Sequence, residues 1–389
     1  MAGMIKIKSV HKLVCLLIFP LFFALFSAHN AIAAPGDITE FDLPAAGSQP
    51  FGITTGPDGN LWFTESGGNK VGKITTGGVI TEFDVPTPSS TPGGIARGSD
   101  GNLWFVERTA DKIGRITTAG VVSEFDVPTP SAQLADITAG PDGNLWFTAP
   151  GTNKIGKITT GGVITEFDVP TPSSAPAFIT LGSDGNLWFT EQLASKIGKI
   201  TPSGVITEYD IPTTGSIPGG ITAGPDGNLW FTEQLTNKIG NITTSGVVTE
   251  FDLPTANSFA SAITVGADGN LWFTALGINK IGRITIAGVV TEFDVPTPNA
   301  YPAFITSGPD GNIWFAESNG NKIGRLEIAS VAPPVTPSNP GASTVPSAPS
   351  TGYSRSSSAS WSLALLLIGS ATILLIVNLY QIRKASRTN

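Results

Sequence analysis

The sequence predicts an all-β fold, a seven-bladed β-propeller, and three observations carry that prediction. Tryptophan recurs as Trp62, Trp104, Trp146, Trp188, Trp230, Trp272 and Trp314, always 42 residues apart and always inside Asn-(Leu/Ile)-Trp-Phe. Each 42-residue copy reads as four short runs of alternating apolar residues separated by turn signals, the length and strand count of a propeller blade; a β-solenoid coil needs about half as much chain. Composition agrees: 46 Gly and 30 Pro in 389 residues, with 13% charged side chains, describe a turn-rich chain too apolar for disorder and too poor in helix formers for a bundle.

In chain order, residues 1–33 come first. A basic start (Lys6, Lys8, His11, Lys12), an apolar run from Leu13 to Phe26 and the small-x-small triplet Ala31-Ile32-Ala33 predict a signal peptide cut before Ala34, with an uncleaved anchor as the alternative. Cleavage removes Cys15, His11 and His29, the only thiol and the only imidazoles in the chain. Intramolecular disulfides, Cys-based zinc sites and Fe–S clusters are thereby excluded.

Residues 34–329 form the predicted propeller. A lone fourth-strand copy, Ile38-Thr39-Glu40-Phe41-Asp42-Leu43-Pro44, precedes the first full repeat, whose strands are read as Phe51 to Thr54, Asn60 to Glu65, Lys70 to Thr75 and Val79 to Val85. Pro57-Asp58-Gly59-Asn60 supplies a fixed φ, a side-chain turn bond and a positive φ between the first two strands, and Thr76-Gly77-Gly78 turns the last hairpin. Alternation along Leu61-Trp62-Phe63 sends Trp to one face of the blade and Leu and Phe to the other, so the tryptophans are read as core. The last repeat stops after its third strand, Lys322 to Ile328. The amino-terminal strand is therefore expected to complete that blade, closing the ring and hiding its edges.

Residues 330–360 are rich in Pro, Ser, Thr and Gly, a composition suited to a disordered stalk. Residues 361–380, Trp361 to Tyr380, carry no charge and at 1.5 Å per residue are long enough for a transmembrane helix. Residues 381–389 hold Arg383, Lys384 and Arg387, which places this tail in the cytoplasm and the propeller outside a single-pass cell-membrane protein. Within the stalk, Ala348-Pro349-Ser350-Thr351-Gly352 resembles a sortase signal cut between Thr351 and Gly352, although Ala348 stands where that signal has Leu; a plain anchored stalk is the other reading.

From Asp37 to Ala329 there are 15 basic and 30 acidic residues. So acidic a body repels phosphate backbones and anionic lipid, which argues against a nucleic-acid partner. Function is expected on the face that gathers the links between blades and the hairpins between second and third strands. After Trp-Phe-x, five blades carry Glu65, Glu107, Glu191, Glu233 and Glu317, each opposite a lysine (Lys70, Lys112, Lys196, Lys238, Lys322), while Ala149 and Ala275 occupy the other two. Two readings stand: cross-hairpin ion pairs, or a carboxylate ring holding a metal cation. At the starts of the inner strands stand Phe51, Leu134, Asp136, Phe178, Phe259, Tyr301 and Phe304, where other blades have Gly or Ala. These form either a ligand-binding platform for a sugar or peptide or a plug in the channel.

The repeated string Ile-Thr-x-Gly-x-Asp-Gly-x-Leu-Trp-Phe-Thr-Glu, then Asn-Lys-Ile-Gly-(Lys/Arg)-Ile-Thr, then Thr-Glu-Phe-x-(Val/Ile)-Pro-Thr-Pro, is similar to that of the streptogramin lyase family, the virginiamycin B lyases, over all seven repeats. The resemblance implies a seven-bladed propeller and a magnesium-dependent enzyme that opens the ester-closed ring of type B streptogramins by elimination. Where such lyases place a catalytic Tyr and two His, this chain has Phe51, Ser261 and Ala303; a family Glu before the last Pro-His is matched by Tyr301, and the family's catalytic Glu near the last Trp-Phe corresponds to Glu317. A metal ligand, a general base and a substrate contact are thus missing together. The sequence therefore favours a membrane-anchored, non-enzymatic module that binds an extracellular small molecule, glycan or protein; the alternatives are the magnesium-dependent lyase and, third, a calcium-dependent lactone hydrolase drawing on Asp136 and the post-Trp glutamates. The uniform repeat length, with no loop enlarged, also suits a scaffold or binding role.

Overall fold

In a computed structural model of the protein, residues 35–328 are described. The expected signal peptide, stalk, sortase-like pentapeptide, membrane span and basic tail lie outside these residues. Within them are seven four-stranded antiparallel sheets, no α-helix, and two single turns of 3-10 helix. Blade one comprises Pro50–Thr55, Leu61–Glu65, Lys70–Ile74 and Ile80–Asp84, paired in that order. The last blade is completed as expected: Ile38–Asp42 pairs antiparallel with Lys322–Leu326, from Ile38 opposite Leu326 to Asp42 opposite Lys322. Gly36 N–H donates to the Glu327 carbonyl at 2.8 Å, so both ends of the described chain sit side by side on one blade.

The core lies between blades. Trp62 packs with Leu103 and Phe105 of the following blade, and the series closes with Trp314 against Leu61 and Phe63. Each of these rings is buried. Trp62 also stacks on Phe83 of its own fourth strand at 5.6 Å, and its indole N–H donates to Asp58 Oδ1 at 3.0 Å. The turn aspartate therefore does two jobs, accepting the Asn60 backbone N–H as the sequence predicts and satisfying the buried indole, which burial would otherwise penalise. Gly72 is required for another reason: a Cβ there would lie 2.1 Å from Cζ of Phe63, so the aromatic ring rests directly on the third strand.

Two further repeats tie blade to blade. The Thr87 backbone N–H and hydroxyl donate to the carboxylate of Glu124 in the next blade at 2.8 and 2.7 Å, which accounts for the recurrent Val-Pro-Thr and Thr-Glu-Phe-Asp strings. Asn69, at φ +55°, gives its amide to the carbonyls of Val85 and Thr87 and pins the link between blades. Asn is one of the few residues at ease in that left-handed conformation.

The register opposite each glutamate is as expected, with Glu65 facing Lys70, but the predicted ion pairs are corrected. Lys70 Nζ instead reaches Glu82 at 3.1 Å and Asp84 at 3.5 Å on the fourth strand. The same choice recurs at Lys112, Lys196, Lys238 and Lys322, and Lys154 and Lys280, which face Ala149 and Ala275, pair with fourth-strand acids as well. Those acids let the ammonium stay in contact with water, whereas Glu65 is fully buried and pairing with it would strip the lysine of solvent.

Candidate functional site

The channel-facing residues owe their positions to a repeated backbone irregularity. In six blades the pairing of first and second strands slips between the opening residue and the fourth, as between Pro50 and Ile53 in blade one. The two residues inside the slip escape the ladder, and bulges of this kind re-aim side chains. Phe51, Phe178 and Phe304 all occupy such positions. Blade three differs: its first strand is only Ile137–Ala139, and Asp136 sits just before it.

Threonines in Trp-Phe-Thr hold these segments together. Thr64 accepts the Gly52 N–H at 2.9 Å and donates to the Gly93 carbonyl of the next blade at 2.7 Å. Thr148 does the same for the Asp136 N–H at 3.1 Å and the Ala177 carbonyl at 2.6 Å. One step outward, the residue before the first strand has a positive φ in six blades, and Gln133 holds the matching repeat position in blade three: Gln49, Thr91, Gln133, Ala175, Ile217, Phe259 and Tyr301, between +46° and +57°. For Thr91 and Ile217, which are β-branched, this is strained backbone at the rim of the face.

On this face lies a cavity of about 280 Å³. The three phenylalanines form its floor: Phe51 meets Phe304 at 4.9 Å between ring centroids, and Phe178 of blade four meets Phe304 of blade seven at 5.3 Å, across the ring. The three rings thus meet across the channel, as the plug reading expects, and line the floor of the cavity above it. Tyr301, 46% exposed, stands at the margin. Ser261 and Ala303 also line the cavity. Leu134 and Phe259 do not: Leu134 is buried in the blade-three core, and Phe259 is 41% exposed beside the loop at Gly277.

Among the described residues Asp136 is the one carboxyl lining the cavity. Its Oδ2 accepts the Ile179 backbone N–H at 3.2 Å, yet burial dominates and pushes its pKa up to about 7. Opposite it in character is Arg108, a residue the sequence reading missed. Its guanidinium lies 5.2 Å from the Phe51 ring centroid, and burial lowers its pKa. Two glycines admit the pair: a Cβ on Gly93 would press on the Arg108 stem at 2.9 Å, and one on Gly94 would strike Asp136 Oδ1 at 2.3 Å. Gln192, Gln234, Pro150 and Leu276 complete the wall. With Arg108 these are the residues four positions after the tryptophan; the two remaining copies, Ser66 and Ser318, instead donate to the Pro92 and Pro50 carbonyls.

None of the five post-Trp glutamates lines the cavity. Glu65, Glu107, Glu191, Glu233 and Glu317 are each sealed inside their own blade, and burial raises their pKa values to about 7 for the first four and about 8 for Glu317. Neighbouring fourth-strand carboxylates such as Glu82 add to the rise. Among the described residues no three His, Cys, Asp or Glu side chains converge as a metal site would need.

Comparison with known proteins agrees with this architecture. Over 75% of this chain and 98% of the other, it superposes on a solved streptogramin B lyase with 45% identity and a TM-score of 0.73. A selenomethionine virginiamycin B lyase from Staphylococcus aureus is 46% identical over 74% of this chain and 98% of its own, with a TM-score of 0.72. A catalytically inactive His-to-Ala variant of the Staphylococcus aureus enzyme, solved with quinupristin, is 45% identical with the same coverage and TM-score. Residues 21–186 and 172–332 each match the model of the Virginiamycin B lyase family. Sequence, blade architecture and these likenesses together make the chain a member of the virginiamycin B lyase family.

Proposed function

We propose that this propeller is a ligand-binding module that binds in the Phe-floored cavity without turnover, carried outside the cell membrane on the segment of residues 361–380. One observation carries the reading: no histidine lies between Pro35 and Ile328, and the two cavity positions matched to family histidines are Ser261 and Ala303. The Staphylococcus aureus relative is described as catalytically inactive after the loss of one histidine. Elimination needs a base poised beside the Cα proton. Glu317, the residue matched to the family glutamate, is buried in blade seven and does not reach the cavity.

The lining also suits magnesium poorly. A hard dication is held by carboxylates and water. Here the single cavity carboxyl has its charged form disfavoured by burial, and the guanidinium of Arg108 shares the same space. The other lining groups are amides, a hydroxyl and a phenol, from Gln192, Gln234, Ser261 and Tyr301.

A second reading, the magnesium-dependent lyase, draws on Asp136, since a carboxyl titrating at about 7 is matched to proton abstraction at neutral pH. Turnover separates the two. The full-length protein is incubated with a type B streptogramin, with and without magnesium, and the products are fragmented by mass spectrometry. Intact cyclic depsipeptide in every sample is the expected result. A linear elimination product that depends on magnesium, and that Asp136→Asn abolishes, would replace the binding reading with the enzymatic one. Protease treatment of intact cells tests the placement: digestion of the propeller is expected, and protection would put it inside. The mass of the surface-released chain shows whether cleavage falls at Thr351–Gly352.

A further inference from the structure

The cavity holds a cation and a carboxyl that do not neutralise each other. Arg108 has no carboxylate oxygen within 4 Å among the described residues, unlike the hairpin-opening lysines, which all reach an acid. Asp111, the acid in its own hairpin, is occupied: its two carboxylate oxygens accept the Ser131 N–H and the Ala132 N–H, at 2.7 and 2.8 Å. Glu107, next in sequence, points into the blade interior and is fully buried. An unpaired, half-buried guanidinium is therefore retained on the ligand face of a body with 30 acidic and 15 basic residues. A guanidinium held against the Phe51 ring and partly withdrawn from water is poised to take an anionic partner, because a charge-assisted hydrogen bond is stronger there than in open solvent.

We infer that the cavity receives a small molecule with an aromatic or apolar body and one carboxylate, the carboxylate seated on Arg108 and the body on the Phe51, Phe304 and Phe178 floor. The planar guanidinium presents paired donors that match a carboxylate. A monoanion is also repelled less by the acidic surround than a doubly charged phosphate. Size sets the scale: about 280 Å³ equals the share of roughly nine waters, room for an acid about as large as 3-phenylpropionate. Asp136 does not oppose this anion while protonated, which burial favours at pH values below about 7. The inference rests on the binding reading of this cavity.

The test is calorimetric titration of the full-length protein, just below neutral pH, with 3-phenylpropionate and with its uncharged amide. The acid is expected to bind at least about tenfold tighter than the amide, the advantage of a charge-assisted hydrogen bond. Arg108→Gln is expected to erase that advantage, Arg108→Lys to keep part of it, and Phe178→Leu to weaken acid and amide alike, with thermal melts confirming that each variant is folded. Equal binding of acid and amide, or an acid preference untouched by Arg108→Gln, overturns the inference and leaves the binding reading standing. Failure of the acid to bind at all also overturns it. The binding reading itself falls to a different result, magnesium-dependent ring opening.

Discussion

Replacing Glu65 by Gln probes the buried carboxyls directly. Neither oxygen of Glu65 has a hydrogen-bond partner, and burial raises the pKa from 4.5 to about 7. At about 1.36 kcal/mol per unit, that shift corresponds to ~3 kcal/mol of stability for this one group. The sign follows from proton binding: the folded chain keeps a proton that the unfolded chain releases above 4.5. Stability is therefore fullest below that value, falls as pH rises toward about 7, and is level beyond it. Gln has the same shape and nothing to ionise. Urea unfolding followed by tryptophan fluorescence suits the measurement, because the seven blade tryptophans are buried in the folded state. Relative to the parent, Glu65→Gln should gain up to ~3 kcal/mol between about pH 4 and pH 8. The constant cost of burying an amide cancels in this pH difference. A variant-minus-parent difference that stays flat across the range would refute the assignment of Glu65 as a group protonated by burial.

Three other outcomes are expected. Gly72→Ala places a methyl 2.1 Å from Cζ of Phe63 and should lower the urea midpoint by ~1–3 kcal/mol equivalent; an unchanged midpoint would mean that the ring does not rest on that strand. Ile217→Asn relieves a β-branched residue at φ +48° and should stabilise by ~1 kcal/mol, read as a raised thermal midpoint. Deleting the chain through Asp42 leaves Lys322–Leu326 as an open edge and removes the Phe41 ring stacked on Trp314; concentration-dependent light scattering should appear, and a monodisperse product would refute the clasp.

The blades were legible because the packing unit and the sequence unit are the same 42 residues. Trp62, Phe63 and Asp58 recur together since each depends on the others or their copies, through apolar packing between blades and the indole hydrogen bond. The closing strand could be read for a similar reason, a fourth-strand copy left over at one end and missing at the other. Depth was not legible. Spacing places Glu65 opposite Lys70, but only the fold reveals that the glutamate is sealed while the lysine turns to Glu82 and Asp84. The cavity was half visible: Phe51, Asp136, Phe178, Tyr301 and Phe304 were marked by departing from Gly or Ala, and all line it. Arg108 was masked by Glu107, which belongs to the glutamate recurring in five blades, whereas the arginine occurs in one. The signal was present, since the position four after each Trp reads Ser66, Arg108, Pro150, Gln192, Gln234, Leu276 and Ser318, seven copies with little in common in an otherwise uniform repeat. Where a repeat protein stops repeating, packing has ceased to dictate the residue.

The clasp also decides how the disc can be mounted. The last strand runs from Lys322, beside the cavity-side hairpin, to Leu326, and the first enters at Ile38 opposite it. Both ends of the described chain therefore emerge together on the side away from the cavity. A tag fused directly at Pro35 or Ile328 would start from that side, away from the cavity. Coupling through the rim at Tyr301 would instead cover the cavity.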